Sequence, residues 1–197
     1  MNPLRPLEAE HRLIETALDA MTSLLALAGR KHRLSSAPFL EFERFVHTYA
    51  DEAHHAKEEF VLFPEMAKKG LPLDSGPLGC MLNEHNHGRN FCLVIGTSAR
   101  LYENGDEAAY PDMLDATKAF AQLLRAHIQK EDQVLYPMAL RLLGEQTLLE
   151  LEQRFRAVDA HGSEAFENAA FRVVWAADKE RQRLLADSGQ VAEGRAL

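Results

Sequence analysis

The sequence predicts an all-α protein. Apolar residues recur at helical spacing in four long segments, Gly- and Pro-rich connections separate them, and no convincing run of period-two alternation occurs. Four amphipathic helices joined by connections of loop length make an up-down-up-down four-helix bundle. With 197 residues, 46% of them hydrophobic, the chain can bury one good core.

The first helix is expected from about Pro6 to Leu27, where Leu7, Ile14, Leu18, Met21 and Leu25 form a stripe with His11 in it. The polar connection GRKHRLSSAP ends in Ser36 and Pro38, which suit a helix start. The second helix then carries Phe42, Phe45, Val46, Tyr49, His54, Glu58 and Leu62 on one face. KKGLPLDSGPLG breaks the pattern, and a third helix stripes Leu78, Met81, Leu82, His85, Cys92 and Ile95. After the loop ENGDEAAYPD, a fourth helix from about Met113 to Leu143 stripes Phe120, Leu123, Leu124, His127, Glu131, Val134, Leu135 and Met138. Residues 1–143 are thus expected to form the bundle. Residues 144–197 form a C-terminal extension: one or two more helices around His161-Gly162, packed across the bundle or at a homodimer contact with Trp175 as anchor, and a loose tail SGQVAEGRAL.

A net charge of −8 leaves no broad basic footprint for nucleic acid, whose phosphates are bound by clustered Lys and Arg. The N-terminus is charged within its first fifteen residues, and no stretch approaches the roughly 20 apolar residues of a membrane span. A cytoplasmic location is expected, with Cys80 and Cys92 reduced and buried.

Chemistry concentrates in an internal echo. Residues 54–64, HHAKEEFVLFP, match residues 127–137, HIQKEDQVLYP, with His54 over His127 and Glu58 over Glu131. Residues four apart on a helix lie about 40° apart around the axis and roughly 6 Å apart along it, so each His-x-x-x-Glu pair points one way. Both pairs lie on the apolar stripes. A lone carboxylate in a bundle core costs several kcal/mol unless it is paired or binds a metal. His11 and His85 add one core-facing imidazole from each remaining helix, whereas His87, about 200° from His85, faces away. The expected metal ligands are His11, His54, Glu58, His85, His127 and Glu131. Four neutral imidazoles and two carboxylates suit iron, manganese or zinc, and two metals bridged by Glu58 and Glu131 are the economical arrangement.

His55 and Glu59 are also four apart, but the second segment has Ile128 and Asp132 there, so His54 and Glu58 are taken as the ligand register. Pro64 and Pro137, six residues past each glutamate, are expected to end or kink their helices, because an interior proline costs about 3 kcal/mol. His47 lies too far along the axis for the same metal and is expected to support a ligand or line an access path. Glu15 is expected in a solvated salt bridge, and Tyr49, Glu84 and Tyr136 are weaker candidates near the site. Metal-bound histidines commonly give their other ring N–H to a carboxylate, so some nearby acids should fill that role.

The order His11, His54-x-x-x-Glu58, His85, His127-x-x-x-Glu131, set in EHRLIE, HHAKEEFVLFP and NEHNHGR, resembles the hemerythrin-like family of HHE cation-binding domains over roughly residues 5–143. The resemblance implies a four-helix bundle with a non-haem di-iron centre, two iron ions with manganese or zinc as substitutes, and roles around dioxygen, nitric oxide, peroxide or iron. Oxygen-carrying members have two ligand histidines a turn apart on the third helix, whereas Met81 and Arg89 flank His85 here. The chain looks like the four-histidine, two-glutamate variant, similar to di-iron proteins of nitrosative stress and iron–sulfur repair. Those carry an N-terminal cysteine-bearing domain, while this chain starts almost directly at His11. The expected function is binding of, or reaction with, a small oxidant at a position left open by the missing fifth histidine. The alternative is a metal-dependent interaction module without turnover.

Overall fold

The computed structural model describes residues 2–29, 33–158 and 163–193. Every regular element among them is helical, and none of these helices is long and apolar enough to cross a membrane. The first bundle helix, α1 (Arg5–Leu25), starts with Pro6 in its first turn, where the missing N–H has no intrahelical partner to lose. It buries Leu7, His11, Ile14, Leu18 and Met21, a run of steps of four and three that keeps one face inward.

The second bundle helix begins after Ser36 as α2 (Ala37–Phe45), burying Phe39, Phe42 and Phe45. It runs on through a π-helical segment, Val46–His55, a second one, Glu58–Leu62, and α3 (Phe63–Lys68). Pro64 therefore does not end it. A proline ring pushes against the carbonyl four residues back, and that of Phe60 lies inside the second π segment, where i→i+5 bonding has already opened the turn. Pro137 repeats the device: the fourth bundle helix runs as α5 (Ala109–Lys130), a π segment Glu131–Leu135 containing Gln133, and α6 (Tyr136–Leu142). Its start lies earlier than expected, with Tyr110, Pro111 and Asp112 in its first turn. Between them α4 (Gly76–Glu103) is the third bundle helix and packs closely on α5. Gly70 (φ 99°) and Gly105 (φ 96°) take left-handed backbone just past α3 and α4, a conformation that costs any residue with a Cβ.

Two further helices follow. The first, α7 (Glu145–Val158), buries Leu151 and Phe155. The second, α8 (Ser163–Glu193), lays Phe166, Ala169, Ala170, Val173, Ala177 and Leu184 into the core beside α1 and α2. The small side chains let its backbone approach closely. Trp175 is 64% exposed, with the Lys179 ammonium 5.4 Å from its ring. Residues 188–193, expected as part of a loose tail, continue α8, whereas His161-Gly162 and residues 194–197 lie outside the described residues. Cys92 is buried as expected, but Cys80 is exposed, and both are free thiols.

Two apolar clusters fill the bundle, and their separation positions the site. One gathers Ile14, Leu18, Phe42, Phe45, Ala50, Cys92, Phe120 and Leu124; the other gathers Leu7, Leu62, Phe63, Met81, Leu135 and Tyr136. Each fully buried large side chain contributes about 1.5–3 kcal/mol of hydrophobic stabilisation. Along every bundle helix buried histidine or glutamate falls between these clusters: His11 between Leu7 and Ile14, His54 and Glu58 between Ala50 and Leu62, His85 between Met81 and Cys92, His127 and Glu131 between Leu124 and Leu135. A polar layer is thus sealed between two apolar ones.

Candidate metal centre

All six residues expected as ligands converge in this layer, each 1% exposed or less. The two glutamates span it. Glu131 sets Oε2 3.2 Å from His11 Nε2 and Oε1 3.1 Å from His127 Nε2, while Glu58 sets Oε2 3.4 Å from His85 Nε2 and 3.8 Å from His54 Nε2. The imidazoles pair across them, His85 Nε2 standing 3.0 Å from His127 Nε2 and the His11 and His54 rings 4.6 Å apart. Two groups of ligand atoms result: His11, His54 and Glu131 in one, His85, His127 and Glu58 with His55 in the other.

His55 lies beside these residues. The sequence favours His54 over it because the aligned positions of the second segment are Ile128 and Asp132, so the His55–Glu59 register could not serve both helices. The π segment ending at His55 winds a wider turn, bringing consecutive side chains closer in direction, and both imidazoles are buried toward the site. A fifth buried imidazole therefore comes from the second bundle helix.

Each of the five rings is held from behind. Nδ1 donates to Asp132 from His11 (2.7 Å), to Glu10 from His54 (2.9 Å), to Asp51 from His55 (3.2 Å), to Glu59 from His85 (2.6 Å) and to Glu84 from His127 (2.9 Å). A cation backs every one of these carboxylates: Arg12 on Asp132, Lys57 on Glu10, Lys130 on Glu84, and Arg89 on both Asp51 and Glu59. With Nδ1–H committed outward, each Nε2 keeps its lone pair for the interior, the orientation in which histidine binds metal. Sequence reasoning singled out only Glu84 among these acids. Glu59 and Asp132 had a signal in the echo itself, where Lys57-Glu58-Glu59 and Lys130-Glu131-Asp132 place a prop, a core carboxylate and an orienting acid in the same order; outside it, Glu10-His11 parallels Glu84-His85.

The remaining candidates divide. Glu15 pairs with Arg12 at 3.0 Å on the surface, and Tyr49 packs against Phe45 and Phe166 away from the site. His47 is 60% exposed and lines a cavity of about 330 Å³. That cavity, walled by Val46, Cys92, Phe120 and Leu124, ends at His55, His85 and His127. Tyr136 is fully buried and donates a 2.8 Å hydrogen bond to Glu58 Oε1, with its oxygen 3.3 Å from His11 Nε2.

Electrostatics give the layer its chemistry. Burial, reinforced by the neighbouring Glu131 charge, holds the Glu58 carboxyl well above its ordinary range. Burial acts the same way on Glu131, but His127, His11 and His85 together overcome it and hold that group well below. Burial alone would lower His127, yet Glu131 and Glu84 raise it to about 9; Asp132 and Glu131 likewise outweigh burial to raise His11. Glu58 Oε2, both Glu131 oxygens and His55 Nε2 are buried without a hydrogen-bond partner. Orphaned buried acceptors are rare and cost about 1–3 kcal/mol each. Here they all face the two ligand groups, and imidazole with carboxylate is a donor set that fits iron, manganese or zinc.

Fold and site together define a helical-bundle metal-binding protein. Residues 2–139 match the hemerythrin HHE cation-binding domain, and the chain belongs to that family. No curated protein and no solved structure matches it.

Proposed function

We propose that this protein is a non-haem di-iron protein that binds or reacts with a small oxidant, dioxygen, nitric oxide or peroxide. The observation that carries the reading is the pair of buried glutamates, unpartnered at three of their four oxygens, set between imidazole nitrogens in two ligand groups. His11, His54, His85, His127, Glu58 and Glu131 would hold the metals, Glu58 and Glu131 reaching both. Two iron ions bound there supply a redox-active centre able to take small diatomic or peroxide ligands.

The chain's own residues define what such a centre can admit. The two apolar clusters exclude bulk water, and the cavity that reaches His55, His85 and His127 joins apolar Val46, Cys92, Phe120 and Leu124 with charged Glu43, Asp51, Glu84 and Arg89. The five outward-held carboxylates fix the rings and make the imidazoles stronger donors. The Tyr136 hydroxyl is a proton donor inside the layer, held now on Glu58.

Anaerobic iron loading followed by metal counting and visible spectroscopy tests the reading. Two irons per chain, lost in His54→Ala and Glu131→Ala, with absorbance that responds to dioxygen, nitric oxide or peroxide, are expected. Unchanged metal content in both variants would sink the site, and an oxidant-silent spectrum would favour the interaction-module alternative. Consumption of peroxide or nitric oxide over many cycles would distinguish turnover from reversible binding.

A further inference from the structure

A cavity of about 330 Å³ runs from the surface, where His47 and Leu93 are exposed, to the histidines at the edge of the polar layer. It is far roomier than a diatomic or peroxide guest requires. An apolar cavity of roughly 150 Å³ already holds benzene, and pockets for organic molecules begin at roughly 300 Å³.

One position in particular keeps this space open. Gly88 is buried in the middle of α4, on the same face as His85 and Cys92. Glycine inside a helix costs about 1 kcal/mol relative to alanine. No backbone requirement offsets that cost, because Gly88 is not among the glycines with positive φ. Crowding does not explain it either: the nearest neighbour of a Cβ added there would be Phe120 Cε2 at 3.6 Å, an ordinary contact. A larger side chain would suit the helix and occupy the cavity that Gly88 lines. Cys92, one turn on, is again small, between Met81 and Ile95 on the same stripe.

The charged side chains of the wall are already paired. Glu43 meets Arg100 at 3.1 Å, Glu84 holds His127 and Lys130, and Arg89 is shared between Asp51 and Glu59. The Cys92 thiol donates to the Glu43 carbonyl at 3.6 Å, and burial pushes it up to about 12, so it stays uncharged. Between these groups the wall is Val46, Phe120, Leu123 and Leu124. A charged guest would give up its hydration there without gaining a free partner, whereas a carbon-rich one removes apolar surface from water on both sides.

We propose that this cavity binds a neutral, carbon-rich organic molecule about the size of two fused aromatic rings, held with its inner end against the polar layer. The proposal goes beyond the di-iron reading and does not rest on it, because the fit of such a guest to Gly88, Phe120 and Leu124 involves no metal. The layer then has an organic neighbour as well as a small oxidant.

Naphthalene is the probe, titrated into the full chain as purified and after iron loading, with binding measured by equilibrium dialysis. Saturable binding of one naphthalene per chain is expected, and the charged analogue 2-naphthoate should bind at least about ten-fold more weakly, since its carboxylate finds no free partner. Gly88→Leu should weaken naphthalene binding by at least about ten-fold at unchanged helix content, and Gly88→Ala by about four-fold, the worth of one methyl-sized contact. Should Gly88→Leu fail to fold, Gly88→Ala carries the test, because its methyl meets only an ordinary contact. The absence of saturable binding, naphthoate binding as tightly as naphthalene, or unchanged affinity in the folded Gly88 variants would each overturn the proposal. A chain that binds naphthalene but takes up no iron would sink the di-iron reading and leave this one standing; the reverse result would sink this one alone.

Discussion

Glu59 and Asp132 occupy equivalent positions of the two repeated segments, and each reaches across to orient the histidine of another helix: Glu59 holds His85 Nδ1 at 2.6 Å and Asp132 holds His11 Nδ1 at 2.7 Å. The repeat therefore encodes more than two ligands per segment. It encodes a ligand, its neighbour's support and the lysine that props a third carboxylate.

Removing either support should weaken the site without emptying the core. In Glu59→Gln or Asp132→Asn the side chain keeps its size and can still accept from Nδ1–H, but it no longer carries the charge that makes the imidazole a stronger donor. A 10–100-fold loss of metal affinity is expected for each, measured by chelator competition. The two acids serve different histidines in different ligand groups, so the losses should multiply in the double variant. A double variant no weaker than the worse single would show that the supports act as one unit.

Metal stripping should expose the cost of the carboxylate pair. Glu58 and Glu131 share a buried layer, and burial together with the Glu131 charge disfavours the ionised Glu58. Glu58→Gln removes that conflict while leaving an oxygen for the Tyr136 hydroxyl. With chelator present at pH 7, the variant is expected to be more stable than wild type by about 1–2 kcal/mol in denaturant unfolding, on the scale seen when buried charges are neutralised. With iron present the order should reverse, because a ligand that binds only the folded state stabilises it by mass action. A variant less stable under chelator would refute the conflict.

Tyr136→Phe separates packing from chemistry. Phe63, at the equivalent position, shows that a phenyl ring is accepted beside a site histidine, so the change removes only the hydroxyl. Losing its hydrogen bond to buried Glu58 should cost about 1–3 kcal/mol in stripped protein. Metal content should stay at two per chain, with the rate of the oxidant response changed. A variant that cannot load iron would instead place Tyr136 among the groups that build the site.

Most of the bundle was legible because helical periodicity is a local property of sequence. The stripes through Leu7–Met21 and Leu78–Ile95 lie where spacing put them, and the six expected ligands meet because each replaces a leucine-like position on its stripe. What was not legible depends on departures from the α-helical turn or on contacts between helices. His55 was set aside because the second segment has Ile128 at its position, and its burial beside His54 on a π segment is not written in that alignment. Pro64 and Pro137, expected to end or kink their helices, follow the π segments that accommodate them. Glu10 supports the site only because another helix brings His54 to it, and no spacing along one helix reveals that. Within the chain the packing of α8 falls to Phe166 and small residues, with Trp175 exposed.

The docking of α8 should be acid-sensitive through one carboxylate far from the metal layer. Glu180, 5% exposed, accepts from Ser35 N (2.6 Å), Ser35 Oγ (2.9 Å) and the Arg183 guanidinium, which in turn donates to the Arg33 carbonyl at 2.7 Å. Burial would raise this group, but Arg183 and Ser35 overcome it and hold the carboxyl below its ordinary value of 4.5. A folded-state value below the unfolded one stabilises the fold above the unfolded value, and the contribution is lost as pH falls through the folded value. Glu180→Gln is therefore expected to lose about 1.5–3 kcal/mol at pH 7, the worth of charge-assisted hydrogen bonds, with the gap from wild type closing below about pH 4.5. Unfolding of both proteins under chelator from pH 7 to pH 3 measures the gap. A gap constant across that range would assign the loss to side-chain shape rather than to the carboxylate charge.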